Sequence, residues 1–137
     1  MRLWLMKSEP SAYSWDDLVR DKRTSWNGVR NFQAANNLKA MKLGDRAFFY
    51  HSNEGKAIMG VMEIARAAYP DPSDKAGRFV MVDVRPLMPV KHPVTLAAIK
   101  ADPRLKSLAL LHQSRLSVSP VKPAEWAILA EMAGLKP

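Results

Sequence analysis

Three polar–aromatic segments interrupt otherwise apolar stretches of the chain. They are Lys7-Ser8-Glu9-Pro10, Ser25-Trp26-Asn27-Gly28-Val29-Arg30-Asn31 and Phe49-Tyr50-His51-Ser52-Asn53. A fourth, Ser114-Arg115-Leu116-Ser117, lies near the end. Each sets hydrogen-bond donors or acceptors beside an apolar surface. Reading a single nucleobase needs that combination: a flat side chain for stacking and fixed polar groups at the base edge. Stacking on an aromatic side chain is worth roughly 1–3 kcal/mol per base. In this reading Trp26 stacks on the base, and Ser8, Glu9, Asn31, Ser52 and Asn53 offer edge contacts. Arg30, Lys56 and Arg115 meet phosphates, which supplies a salt-dependent and sequence-blind attraction.

The same residues admit plainer roles. Trp26 suits a core position as well as a platform. Asn27-Gly28 is a turn signal whatever the function. Arg30 and Arg115 serve equally as structural donors or surface charges, and Ser8 and Ser52 as backbone caps.

Other chemistries find little support. The chain has no cysteine, which excludes disulfides, thiolate catalysis and cysteine-ligated metal centres. His51, His92 and His112 are widely separated and lack helix-face metal spacing, so no metal or cofactor is expected. His51 beside Ser52 is no nucleophile pair, because neighbours in a strand point to opposite faces. The six glycines form no phosphate-cradling loop. The acids fall mostly in helix starts and turns. Lys7 with Glu9 is the one acid–base pair on which an enzyme acting on nucleic acid would rest, and a binding module is the preferred reading. A sensor of a free nucleoside or other small ligand is the third.

The elements that position these residues follow from local patterns. Residues 2–6 read as a strand buried on both faces, with Trp4 in the core. Ser14 suits a helix N-cap with Asp17 at the third helical position, and Tyr13 and Leu18 suit a hydrophobic staple. Phe32, Ala35, Leu38 and Met41 form an apolar stripe on a helix from about residue 30 to 41. Strands are expected at 46–52, 57–67 and 78–86, the first two joined through the hairpin residues Asn53-Glu54-Gly55-Lys56. Thr95 caps a short helix through about residue 100, residues 114–119 suit a strand, and Pro123 opens a last helix that Gly134 closes.

Length and charge set the frame. The 137 residues include 21 Lys and Arg against 13 Asp and Glu, a net charge of +8, with 47% hydrophobic residues. That length favours one domain, residues 1–137, and that apolar content allows a real core. The positive charge favours a polyanion, nucleic acid before membrane. No apolar run approaches the roughly 20 residues of a membrane span, and no secretion signal opens the chain. The expected location is the cytoplasm, or the nucleus of a eukaryote. Strands with helices between and outside them fit an α+β domain around a small barrel.

The segments also resemble the EVE domain family. The likeness rests on Trp4-Leu5-Met6-Lys7-Ser8-Glu9-Pro10, Trp26-Asn27-Gly28-Val29-Arg30-Asn31-Phe32-Gln33-Ala34, Met41-Lys42-Leu43-Gly44-Asp45, Phe49-Tyr50-His51-Ser52-Asn53, Val94-Thr95-Leu96, Gln113-Ser114-Arg115-Leu116-Ser117-Val118 and Pro120-Val121. These motifs occur in the family's order along nearly the whole chain. The resemblance implies a PUA-like fold, a closed or nearly closed barrel with peripheral helices, akin to YTH, PUA and ASCH domains. It implies a reader of modified bases, such as a modified cytosine or a methylated adenine, in DNA or RNA. By matching motif, Trp26 is a cage tryptophan with Asn27 beside it. Lys7, Ser8 and Glu9 border the pocket, Ser114 and Arg115 lie on its far side, and Tyr50, His51, Ser52 and Asn53 line its rim or floor. Where relatives often carry a tryptophan, this chain has Phe79 or a neighbour. A second cage wall then falls to Trp4, Phe49, Tyr50 or Phe79.

Overall fold

Strand β1, Leu3–Ser8, sends alternate side chains into two apolar layers. Trp4 and Met6 enter one layer and Leu5 the other. Strand β3, Arg46–His51, repeats the pattern: Phe49 joins Trp4, while Phe48 and Tyr50 join Leu5. A sheet that is apolar on both faces must be covered on both.

The computed structural model describes residues 1–135, so the last two positions of the expected 1–137 domain lie outside the described residues. Helices α1, Trp15–Asp21, and α2, Phe32–Ala40, cover the first layer through Trp15, Leu18, Ala34 and Leu38. Helices α3, Leu96–Ala101, α4, Ala109–His112, and α5, Pro123–Met132, cover the second with a 3-10 turn at Pro103–Leu105. Their contributions include Ile99, Leu105, Leu110 and Leu129. The remaining strands are β2, Thr24–Trp26, β4, Ala57–Pro70, β5, Val80–Thr95, and β6, Val118–Pro120. Among the described residues no helix is long and apolar enough to cross a membrane.

The six strands pair in the order β2-β5-β4-β3-β1-β6. β1 and β3 are parallel, and the other pairs are antiparallel. β2 and β6 are opposite edges of this sheet, yet the ends of β1 and β2 line one cleft. The sheet therefore curls until its edges face each other. Four register shifts along β4 and β5, from Ile58 to Tyr69, supply bends of the kind that bulges produce. No ladder joins β2 to β1 or β6 among the described residues, so the expected barrel has an open seam.

Three local expectations change. Phe32 is 63% exposed, because α2 presents Ala34, Ala35 and Leu38 inward. Residues 114–117 are not strand: pairing with β1 begins at Val118. β5 runs to Thr95 through Pro86, Pro89 and Pro93, where bulged pairing tolerates residues without an N–H.

Candidate functional site

The seam holds two adjoining clefts with Lys7 on the wall between them. One, of about 380 Å³, is lined by Lys7 and Ser8 from the end of β1 and by Ala12 and Tyr13 from the loop before α1. Thr24, Ser25 and Trp26 from β2, with Asn27, close it. The other, of about 440 Å³, is lined by Lys7, Glu9, Tyr50, Ser52, Asn53, Lys56, Ser114 and Arg115, with Leu96 and Leu110 below.

Two aromatic side chains wall the first cleft. Trp26 is 9% exposed and packs edge-on against Phe49, with ring centroids 5.5 Å apart and planes at 81°. Most of its indole is therefore core, and one part is left to the cleft. Tyr13 is half-buried, and its hydroxyl donates to Asp21 Oδ2 at 2.9 Å. Two neighbouring serine hydroxyls also send their protons away from the cleft. Ser8 Oγ donates to the Tyr13 carbonyl at 2.6 Å, and Ser25 Oγ donates to Asp83 Oδ1 at 3.0 Å.

Asp83 sits on β5 opposite Ser25 and is buried. It also accepts from the Tyr69 hydroxyl, and from Arg23 Nη2 and Nε at 3.0 and 3.3 Å. Burial pushes its pKa up, but the bonds from Tyr69, Arg23 and Ser25 and the Arg23 charge outweigh that, so the pKa falls below the usual carboxylate value.

The second cleft is cationic. Lys7 Nζ donates to the Ser114 carbonyl at 2.9 Å and has no ion-pair partner among the described residues. Burial lowers its pKa from the ordinary lysine value. Tyr50 is nearly covered, and burial raises its phenol pKa above the ordinary tyrosine value.

The sequence-expected residues thus divide. Ser8, Trp26 and Asn27 line the aromatic cleft. Glu9, Tyr50, Ser52, Asn53, Lys56, Ser114 and Arg115 line the cationic one, and Lys7 lines both. Three others line neither. Asn31 is the N-cap of α2 and accepts from the Ala34 N–H at 2.9 Å. His51 Nε2 accepts from the Trp15 N–H at 3.0 Å, and burial lowers its pKa, with Asp16 acting weakly the other way. Arg30 is tied to Ser73 Oγ at 2.9 Å and Asp71 at 3.4 Å and lies over the Phe79 ring.

The second aromatic side chain lining the Trp26 cleft is Tyr13, which the sequence offers only as a staple, while Tyr50 lines the cationic cleft. Trp4 donates its indole N–H to buried Asp45 at 3.1 Å, Phe49 lies wholly in the core, and Phe79 packs against Phe32. Thr24 was equally hidden, because a three-residue strand shows no period, whereas Ser25 heads one of the polar–aromatic segments.

The chain as a whole has similar relatives. The family model of the EVE domain matches residues 2–132. Thymocyte nuclear protein 1 of Homo sapiens is 36% identical over 168 residues, covering 98% of this chain and 75% of that protein. The solved structure of Rpa0253 from Rhodopseudomonas palustris is 54% identical, with a TM-score of 0.93 over 98% of this chain and 94% of that one. The human THYN1 protein, solved in complex with DNA containing 5-methylcytosine, is 35% identical, with a TM-score of 0.91 over the whole of both chains. An ASCH protein from Zymomonas mobilis, 11% identical, has a TM-score of 0.61 over 96% of this chain and 99% of its own. That likeness shows the α+β, PUA-like fold alone. Matched along nearly its full length by the family model, the chain belongs to the EVE domain family.

Proposed function

We propose that residues 1–137 form one nucleic-acid-binding domain that reads a modified base, with a modified cytosine such as 5-methylcytosine as the favoured ligand. The base, unpaired or flipped from its stack, enters the cleft between Tyr13 and Trp26. Ala12 and the two rings give its methyl group an apolar wall, worth about 0.8 kcal/mol per buried carbon. The strand backbone crosses Lys7 into the cleft lined by Lys56 and Arg115, where cations outnumber the single acid Glu9. Such a polymer is met in the cytoplasm or the nucleus.

The carrying observation is an aromatic cleft joined to a cationic one through a shared lysine. Its support from kinship is the 35% identity to human THYN1, which has been solved with 5-methylcytosine-containing DNA. Affinities for otherwise identical oligonucleotides with and without one 5-methylcytosine test the reading. The wild type should prefer the modified strand, and Tyr13→Ala should lose most of that preference. Tyr13 suits this test better than Trp26, which is also core. Equal affinity for both strands in both proteins would sink the proposal.

Lys7 and Glu9 line one cleft, which gives the reading of an enzyme acting on nucleic acid a specific form. Turnover of a labelled oligonucleotide that disappears in Glu9→Gln would replace binding with catalysis.

A further inference from the structure

A methyl-favouring cleft faces a competitor. Thymine carries its methyl group on the same ring carbon as 5-methylcytosine, so apolar contact and stacking favour both alike. The two bases differ where cytosine has an exocyclic amine and a bare ring nitrogen. Thymine has a carbonyl oxygen and a ring N–H in those places.

The two serine hydroxyls of the Tyr13–Trp26 cleft are arranged to sense that difference. A serine hydroxyl has one proton and two lone pairs. Ser25 spends its proton inside the Asp83 cluster. Asp83 Oδ1 lies at 3.0 Å and the Tyr69 hydroxyl at 3.1 Å, and the carboxylate can only accept. Turning the Ser25 proton into the cleft would break a charge-assisted bond. Ser8 spends its proton on the Tyr13 carbonyl at 2.6 Å. Both oxygens belong to residues lining the cleft, and both have only lone pairs to offer it. The donors of the cleft include the Lys7 amine, the Asn27 amide and the Thr24 hydroxyl. They match the bare ring nitrogen and the carbonyl that cytosine presents beyond its amine.

Resting on the base-reading function above, we propose that Ser25, held by Asp83, and Ser8, held by the Tyr13 carbonyl, form an acceptor-only edge that admits amine-bearing bases and rejects thymine and uracil. Ser8 and Ser25 are specificity determinants that contact the base. Asp83 and Arg23 are positioning residues that set which way the Ser25 proton points.

Asp83→Asn tests the polarity directly. Arg23 donates to Oδ2 through two nitrogens, so the new amide keeps its oxygen there and turns its NH2 toward Ser25. Ser25 and the Tyr69 hydroxyl then both accept from Asn, and the Ser25 proton is released from the carboxylate to turn to the Tyr69 oxygen or into the cleft. The experiment measures anisotropy binding of the full chain to four single-stranded oligonucleotides. They differ at one position only: 5-methylcytosine, cytosine, thymine or uracil. The wild type should bind the 5-methylcytosine strand about 5- to 150-fold more tightly than the thymine strand, the range expected for one good edge pairing. Asp83→Asn should shrink or invert that ratio. Ser25→Ala, at an exposed residue, should shrink it by weakening the 5-methylcytosine strand alone. Equal wild-type affinity for thymine and 5-methylcytosine, with Tyr13 still needed for both, would overturn this proposal and leave base reading intact. An unchanged ratio in both variants would do the same. Failure of the wild type to bind any of the four strands would overturn both.

Discussion

Asp71 holds the loop that follows Trp26. It is 2% exposed, and it accepts from the Gly28 N–H at 2.7 Å and from the N–H and hydroxyl of Ser73 at 2.8 and 2.6 Å. Arg30 adds a weaker contact at 3.4 Å. Burial alone would raise its pKa, but these bonds outweigh burial and bring it to about 2. A carboxyl group with a depressed pKa contributes stability that is present above its unfolded pKa, near 4, and is lost as pH falls through the folded value. The drop of nearly two units corresponds to about 2 kcal/mol. Asp71→Asn should therefore lower stability by about 2 kcal/mol at pH 7 in urea titrations, and the gap to wild type should narrow as pH approaches 3. Equal midpoints at pH 7 would refute the clamp. Gly28 depends on this anchor, since its φ of +78° is a left-handed conformation that costs other residues roughly 1 kcal/mol. Trp26 lies two residues away, so the same variant should weaken binding of the 5-methylcytosine strand.

Helix α1 shows what one element contributes to the cleft. Its N-terminus closes with a capping box in which Ser14 and Asp17 satisfy each other's backbone N–H groups. Its seat on the sheet is Trp15, whose ring lies over Gly60 on β4. A Cβ at that glycine would come within 2.4 Å of the ring. His51 adds a second anchor by accepting the Trp15 N–H. Gly60→Ala should push the indole and α1 off the sheet and cost about 1–3 kcal/mol, the range for overpacked cores. Tyr13 enters the cleft two residues before this helix, so binding should fall together with the melting temperature. A variant that melts like wild type would show that α1 is seated some other way. The capping box was legible because Ser-x-x-Asp ahead of an apolar residue has a local mechanism. The Gly60 contact was not, since nothing near residue 60 announces an indole arriving from residue 15. For the same reason the His51 bond to Trp15 was not legible: its polar neighbours share its strand, while its partner comes from another element. β1, β3 and the first half of β4 were legible from periodicity, whereas β2, with three residues, had too short a pattern to read.

At the scale of the whole molecule, charge and edge chemistry fall mostly to different residues, with Lys7 shared between the two clefts. Much of the arginine content is already paired: Arg20, Arg23, Arg30, Arg85 and Arg104 each lie against an Asp or Glu. Lys7, Lys56 and Arg115 have no such partner among the described residues and converge on one cleft. The sequence displayed the net charge of +8 but not this sorting, because pairing depends on which strands meet. A cation that neutralises a phosphate on a single strand releases about 0.7 of a counterion. Three such cations should give a slope of log affinity against log salt near −2, as an order-of-magnitude figure. Arg115→Ala and Lys56→Ala should each make that slope shallower by about 0.7 and weaken all strands by the same factor. The ratio between 5-methylcytosine and thymine strands should stay fixed. Ser25→Ala should behave in the opposite way, changing the ratio while leaving the slope intact. Salt titrations of these three variants on the same two strands measure both quantities at once. If Arg115→Ala altered the base ratio, the cationic cleft would be touching the base itself, and the division between backbone and base clefts would fail. If it left the slope unchanged, the backbone would follow some path other than the one across Lys7.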